Sequence, residues 1–415
     1  MEDDIWPEVK LSTFCKPSSI KAEKIGGELS VLSMTKYDGF VRSGEYFGKQ
    51  IHSKDTSKYK YVTKGQFAYA TIHLDEGSID YLKDYEDGVI SPMYTVFDVD
   101  EEIIDRYFLL AWFKKTTETR FWNTIGQGSI NRRKSISFKS LGDVSIQLPP
   151  LPEQKKIASI LGSVDDAIAK TETVIDQTRR VQQGLLQELL TRGIGHKKFK
   201  QTELGEIPEA WTIRTAQEIC KTISVGIVVK PAQYYMETGV RAFRSANVRE
   251  GFVNDQDWVY LSEEGHRVNK KSILKTGDVL VVRTGYPGTS CVVTEDFDGC
   301  NCIDIIFARP ITETLNSYYM SLFINSPLGR NQVLRAEGGL AQKHFNVGEL
   351  KKMILPVPPI KEQYEIQKRV SQYQNILDKN QQGLHHLLSL KKGLMSDLLT
   401  GRVRVNAVTP MEKAA

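Results

Sequence analysis

Apolar residues at Ile157, Leu161, Val164, Ile168 and Ile175, then Leu185 and Leu189, advance in three- and four-residue steps and their sums. That spacing lines one face of an α-helix. The same seam returns at Ile366, Val370, Tyr373, Leu377, Leu384, Leu394 and Leu398. Both copies place polar residues in the same seam slots, Thr171 matching Asn380 and Gln182 matching Lys391. Polar insertions of this kind fix helix register at some cost in stability. Proline in the first turn (Pro152; Pro358-Pro359) and glycine past the end (Gly193; Gly401) bound both helices. Roughly forty residues at about 1.5 Å each predict rods of about 60 Å, packed as a coiled-coil pair.

The two helices belong to an internal repeat. Leu148-Pro149-Pro150-Leu151-Pro152-Glu153-Gln154 returns as Val357-Pro358-Pro359-Ile360-Lys361-Glu362-Gln363, an offset of 209 residues that holds without a gap to Gly184–Thr191 and Gly393–Thr400. Core helices of one large domain drift in length. A spacer holding two bodies at a set distance cannot, and the unbroken register favours the spacer. The segments before the helices repeat more loosely. Thr63-Lys64-Gly65-Gln66-Phe67-Ala68-Tyr69 resembles Lys275-Thr276-Gly277-Asp278-Val279-Leu280-Val281, Tyr107-Phe108-Leu109 resembles Tyr318-Tyr319-Met320, and Gly128-Ser129-Ile130 resembles Gly338-Gly339-Leu340. Short β-branched strands are expected at Asp278 to Val282, Ser290 to Thr294 and Ile303 to Ala308, with a helix or two beside them. The expected fold is α+β: two globular domains separated by two long antiparallel helices, with a pseudo-two-fold internal repeat. The expected boundaries are 1–150 for the first globule, 151–195 for the first helix, 196–357 for the second globule, 358–403 for the second helix and 404–415 for a tail.

Length supports more than one core, since 415 residues exceed what one usually serves. With 40% apolar and 26% charged residues, the composition is that of a soluble globular protein. Apolar runs such as Val279–Val282 are too short to cross a bilayer, so no membrane is expected. The acidic start Met1-Glu2-Asp3-Asp4 is unlike a signal peptide, which points to the cytoplasm. Five cysteines (Cys15, Cys220, Cys291, Cys300, Cys302) are odd in number and show no CxxC spacing, as free thiols do; no zinc site is expected. A net charge of +4 is too small to mark a wholly basic surface, so any basic patch is local.

Gly193-Ile194-Gly195-His196-Lys197-Lys198-Phe199-Lys200, followed by Thr202-Glu203-Leu204-Gly205-Glu206-Ile207-Pro208-Glu209-Ala210-Trp211, resembles the linker and domain start of type I restriction-modification specificity subunits. The repeated Leu-Pro-Pro-Leu-Pro-Glu-Gln start and Leu-Leu-Thr end of the helices resemble that family's two conserved regions. The first half departs from the pattern, opening on Ile5-Trp6-Pro7-Glu8 without the Gly-Glu-Ile-Pro run. The resemblance implies a DNA-binding subunit whose two target-recognition domains each read half of a split, asymmetric site. It also implies helices that act as a ruler, two methyltransferase subunits docked on them, and restriction subunits joining the full complex. Two similar domains on a rigid spacer would read two half-sites at fixed separation, as dimeric DNA binders do. Alternatives are the recognition subunit of another multi-subunit methyltransferase or nuclease system, a single-chain DNA methyltransferase with fused recognition domains, and a coiled-coil protein without a DNA role.

Catalytic motifs are not found. The two Pro-Pro pairs are preceded by Leu148 and Val357 and followed by Leu151 and Ile360, so neither is the Asn/Asp-Pro-Pro-aromatic motif of an amino-methyltransferase. No GxxxxGK[ST] loop is present. Gly126-Gln127-Gly128 reads as a turn, and His385-His386 on a helix point apart. Neither catalytic residue nor cofactor is expected. For DNA contact there are three stretches. Asn131, Arg132, Arg133 and Lys134 form a basic run whose counterpart is Gln342, Lys343 and His344. Arg283 and Tyr286 lie in the glycine-rich turn Arg283-Thr284-Gly285-Tyr286-Pro287-Gly288-Thr289, and Arg244 and Asn247 lie in the Arg241 to Arg249 stretch. Lys and Arg would position the protein on phosphates; Asn, Gln or Arg would reach base edges. The competing readings are solvated loops and a plain hairpin turn.

Overall fold

The computed structural model describes residues 6–27, 29–36, 38–48, 53, 55–125, 135–336 and 344–405. Two long helices dominate it, Leu151–Thr191 and Ile360–Leu398. Their apolar seams are buried at Ile157, Leu161, Val164, Ile175 and Leu189 on the first and at Ile366, Val370, Leu377 and Leu398 on the second. The first helix stops where Gly193 takes a φ of +63°. A Cβ there would sit 2.5 Å from the ring of Trp211, so the position needs glycine for both its backbone and its space.

The chain divides into two compact units, Met1–Glu172 with Gln382–Ala415, and Thr173–Gln381. The division cuts across the linear segments: each unit holds one globule, part of its own C-terminal long helix and part of the other one. In the first unit the helix segments run antiparallel, with Asp165 meeting Lys391 and the earlier Glu153 meeting the later Arg404.

Each globule is built on a four-stranded antiparallel sheet of the same topology. In the first unit the order is Cys15–Ser18, Tyr94–Val99, Phe67–Ala70, Ile79–Tyr81; in the second it is Cys220–Val225, Ile305–Pro310, Val279–Val282, Ser290–Val292. A second four-stranded sheet in each globule contains one parallel pair, Val31–Thr35 with Asp87–Ile90 and Val240–Phe243 with Asn301–Cys302. The chain enters and leaves each globule as a two-stranded ribbon, Glu8–Lys10 against Ser145–Gln147 and Thr212–Thr215 against Ile354–Val357. The third expected strand begins later than its apolar run, at Ile305, because Asp304 takes a left-handed φ of 51°.

One helix packs beside each antiparallel sheet. Arg106–Glu118 is capped by Asp105, whose carboxylate accepts the Phe108 N–H; Ser317–Asn325 is capped by Asn316, which accepts the Tyr319 N–H. Phe67 stacks on Phe97 with ring centroids 5.1 Å apart, and Phe113 on Trp122 at 5.6 Å, in a core that also takes in Ile157, Leu161 and Leu398 from the long helices. In the second unit Trp211, Tyr319 and Phe323 share a core with Leu189, Leu190 and Ile366. Each fully buried side chain of this size contributes about 1.5–3 kcal/mol, so the long helices are part of the globules' cores as well as connectors.

Candidate nucleic-acid interface

The strand Val279–Val282 runs straight into the turn at Arg283, and the backbone carbonyl of Arg283 accepts the Phe345 N–H at 3.1 Å. Phe345 is buried and adjoins the exposed His344, so the turn and the end of the Gln342–His344 run meet at one end of the sheet. The first globule repeats the tether. The strand Phe67–Ala70 leads to Thr71, whose carbonyl accepts the Ile136 N–H at 2.9 Å; Tyr69 donates its hydroxyl to the Ile136 carbonyl at 3.0 Å. Ile136 and Phe345 are 209 residues apart, so equivalent anchor residues follow the two basic runs in sequence, each tied to the end of the equivalent strand of its own globule. Asn131, Arg132, Arg133, Lys134, Gln342 and Lys343 themselves lie outside the described residues.

Of the other candidates, Tyr286 is 84% exposed at the tip of its turn. Arg283 is largely buried and its guanidinium pairs with Asp304, which makes it an anchor of the turn. Arg244 donates to the Asp257 carbonyl at 2.8 Å and is likewise occupied. Asn247 has to be withdrawn as a contact residue. It is fully buried, its Oδ1 accepts the Arg244 N–H at 3.0 Å, and its Nδ2 donates to the carbonyls of Gln256 at 2.8 Å and Asn254 at 3.3 Å. An amide spent on three backbone groups holds a loop together and has nothing left for a base edge.

Sequence reasoning missed a second, internal set of residues. Gln154 is fully buried; its Oε1 accepts the Asp105 N–H at 2.8 Å while its Nε2 donates to the carbonyls of Ile103 and Pro149. Gln363 does the same with the Asn316 N–H at 2.9 Å and the carbonyls of Thr314 and Pro358. Each glutamine thus ties the cap of its globule's helix to the start of a long helix. The neighbouring acids close a latch. Glu153 accepts from the Trp6 indole, the Arg404 guanidinium and the Val405 N–H; Glu362 accepts from the Trp211 indole, takes the Ile194 N–H and faces His196 at 2.9 Å. The repeated Glu-Gln pair was the available signal, but it read only as a helix start.

The chain matches the family described as Type I restriction modification DNA specificity domain over residues 40–178 and 208–387, most of its length. It belongs to that family. Among relatives, it is 26% identical over 324 residues to the type I restriction enzyme MjaVIII specificity subunit of Methanocaldococcus jannaschii, covering 77% of this chain and 75% of the relative. It is 27% identical over 292 residues to the EcoBI specificity subunit of Escherichia coli, covering 65% and 60%. The fold matches a chain from a solved type I restriction-modification assembly (TM-score 0.59, 16% identity, 97% of this chain and 99% of that one). It also matches the type I S subunit from M. genitalium (TM-score 0.56, 15% identity, 96% and 97%). As a type I specificity subunit the chain recognises DNA sequence and is not itself catalytic.

All five cysteines are buried, and burial pushes the Cys15, Cys220 and Cys291 thiols up to about 12 and raises Cys300 and Cys302 too, so none supplies a thiolate near neutral pH. Among the described residues no group of three His, Cys, Asp or Glu side chains is placed to hold a metal. No described helix is long and apolar enough to cross a membrane. A cavity of about 210 Å³ in the first globule is lined by Ser43, Tyr59, His73, Met93 and Tyr94 among others.

Proposed function

We propose that each globule of this specificity subunit reads one half of a bipartite, asymmetric DNA site, residues 1–150 one half and 196–357 the other. The helical segments 151–195 and 358–403 set the gap and carry two methyltransferase subunits, which restriction subunits join, in the cytoplasm. In this reading Asn131, Arg132, Arg133 and Lys134 in the first globule, and Gln342, Lys343 and His344 in the second, lie on the DNA, positioning the protein on phosphates and reaching base edges. The observation that carries it is the duplicated tether, Ile136 on Thr71 and Phe345 on Arg283, which holds the residues that follow the two basic runs in sequence at equivalent places on equivalent sheets. Relatives named as type I restriction enzyme specificity subunits support it.

Two experiments test it in cells that also supply the methyltransferase subunits, with the methylated site read by sequencing. Replacing 196–357 by the equivalent domain of a relative should change one half of the site and leave the other. A change in both halves would refute independent reading. Inserting about one helical turn after Thr171 displaces the rest of that helix by about 5.4 Å, which is one or two base pairs at about 3.4 Å each. The gap should lengthen by that much, with some loss of affinity from the altered groove phase; an unchanged gap with activity intact would make the helices scaffold and not ruler.

A further inference from the structure

The second globule carries a turn that is braced from below and bare at its tip. Arg330 donates to the Pro287 carbonyl at 2.9 Å and lies within 3.4 Å of the Thr289 hydroxyl. Asn325 brackets the far end, accepting the Ser290 N–H at 3.0 Å and donating to the Ser290 carbonyl at 2.9 Å. Inside the turn the Gly288 N–H reaches the Val282 carbonyl, and the Thr289 hydroxyl reaches the carbonyl of Tyr286. Gly288 sits so close to the helix Pro327–Ala336 that a Cβ would be 2.8 Å from Val333, and its φ of +78° again calls for glycine. Arg283 is held by Asp304 at the near end.

At the tip of this mount stands Tyr286, the most exposed of the large apolar side chains among the described residues. Its ring packs into no core, so folding does not explain it. A rigid aromatic with a polar end, held by a preformed support, loses little entropy when it binds, and that is how recognition residues are usually mounted. The near end of the turn is tied through the Arg283 carbonyl to Phe345, next to His344 and the second basic run. The first globule's equivalent connection after Thr71 is also braced from its helix, Lys114 donating to the Gly77 carbonyl at 2.9 Å, but it is a 3₁₀ turn, Leu74–Glu76, that carries Asp75 and Glu76 in place of an exposed aromatic ring.

We propose that Tyr286 contacts a base edge in the DNA half-site read by the second globule and determines specificity there, and that Arg330 and Asn325 are positioning residues for its turn. This rests on the second globule being the reader of one half-site.

The test uses the full complex with its methyltransferase subunits, reading the methylated site by sequencing and measuring binding to site variants over a range of salt. Tyr286→Ala should leave the first half-site intact and make one position of the second degenerate, discrimination there falling about tenfold or more, with an unchanged salt slope. Arg330→Met should relax the same position. With the ring so exposed, Tyr286→Ala should melt like the parent, which separates loss of reading from loss of fold. An unchanged site, or affinity lost equally on all sequences, overturns the proposal for Tyr286. A relaxed site with Tyr286→Ala but not with Arg330→Met overturns the positioning role. Failure of the underlying reading looks different: exchanging 196–357 would then leave the second half-site unchanged whatever residue 286 is.

Discussion

Asp165 and Lys391 close a charged pair at 2.5 Å in one unit, where Gln374 and Gln182, each 209 residues away from its counterpart, close a neutral one at 3.1 Å in the other. The acid latches differ less. Both keep the glutamate, the tryptophan and a backbone N–H, but the basic partner is Arg404 in one and His196 in the other. The glutamine clamps, Gln154 and Gln363, do not differ at all. Divergence follows exposure. The clamps are 0% exposed, the latch acids 7% and 13%, and the charged pair about a third. A buried polar group left unpaired costs about 1–3 kcal/mol, whereas an exposed ion pair is worth about 0–1 kcal/mol, so the repeat has fixed chemistry only where water cannot substitute.

The largest effects should come from the clamps. Gln154→Leu and Gln363→Leu each orphan one backbone N–H and two carbonyls. At the cost of an unpaired buried group, either change should destabilise by about 3–5 kcal/mol, with local hydrogen exchange rising at the Asp105 or Asn316 cap. Denaturant unfolding should give the two variants equal losses to within about 1 kcal/mol, because the networks match group for group. A clamp that tolerates leucine would break the link between burial and retained chemistry.

Next come the latches. Burial works to raise the pKa of Glu153, but its hydrogen bonds from Arg404, Val405 and Trp6 and the Arg404 charge outweigh it, so the carboxyl titrates below its ordinary 4.5. A folded pKa below the unfolded one means that this stabilisation is fully present above about 4.5 and fades as pH falls through the folded value. Arg404→Ala should cost about 1.5–3 kcal/mol at neutral pH, and exchange near Trp6 should lose its acid sensitivity between pH 5 and pH 3 (about two units around the glutamate range). His196→Ala, which removes a partner that is charged only when protonated, should cost less at neutral pH. If it costs more, the latches do not rank by the charge of their partner.

How much of this was legible depended on whether a residue's role was set by spacing or by partners. The seam was largely legible, because period and burial mostly coincide: Ile157, Leu161, Ile175 and Leu189 are buried as their spacing required, while Ile168, Leu185, Tyr373, Leu384 and Leu394 are only half-buried. Its polar slots were half legible. Gln182 and Lys391 do reach across the helices, but Thr171 and Asn380 bond carbonyls of their own helix, Ala167 and Ile376, and fix no register. The partners Asp165 and Gln374 went unnoticed, since only the folded register brings them opposite. Asn247 and Tyr286 looked alike in sequence, two polar-tipped residues in basic or glycine-rich loops. One proves buried and saturated and the other bare. Which way a loop side chain faces is decided by the backbone groups that the loop orphans, and no local pattern records that.

The smallest effect should come from the exposed pair. Asp165→Asn with Lys391→Gln turns the charged contact of the first unit into an amide pair, neutral like the Gln182–Gln374 contact of the second. Asparagine keeps an acceptor for Tyr107, whose hydroxyl bonds Asp165, so the exchange removes charge without orphaning a buried group. With both side chains about a third exposed, solvent already screens the pair, and the change in stability should stay within about 0.5 kcal/mol. Salt should reveal the difference. Raising ionic strength from about 0.05 to 0.5 M shortens the Debye length from more than 10 Å to less than 5 Å, and it should weaken the parent slightly while leaving the double variant unaffected. A loss above about 1.5 kcal/mol, insensitive to salt, would mean that this position is as constrained as the clamps. Exposure would then not be what let the two halves diverge.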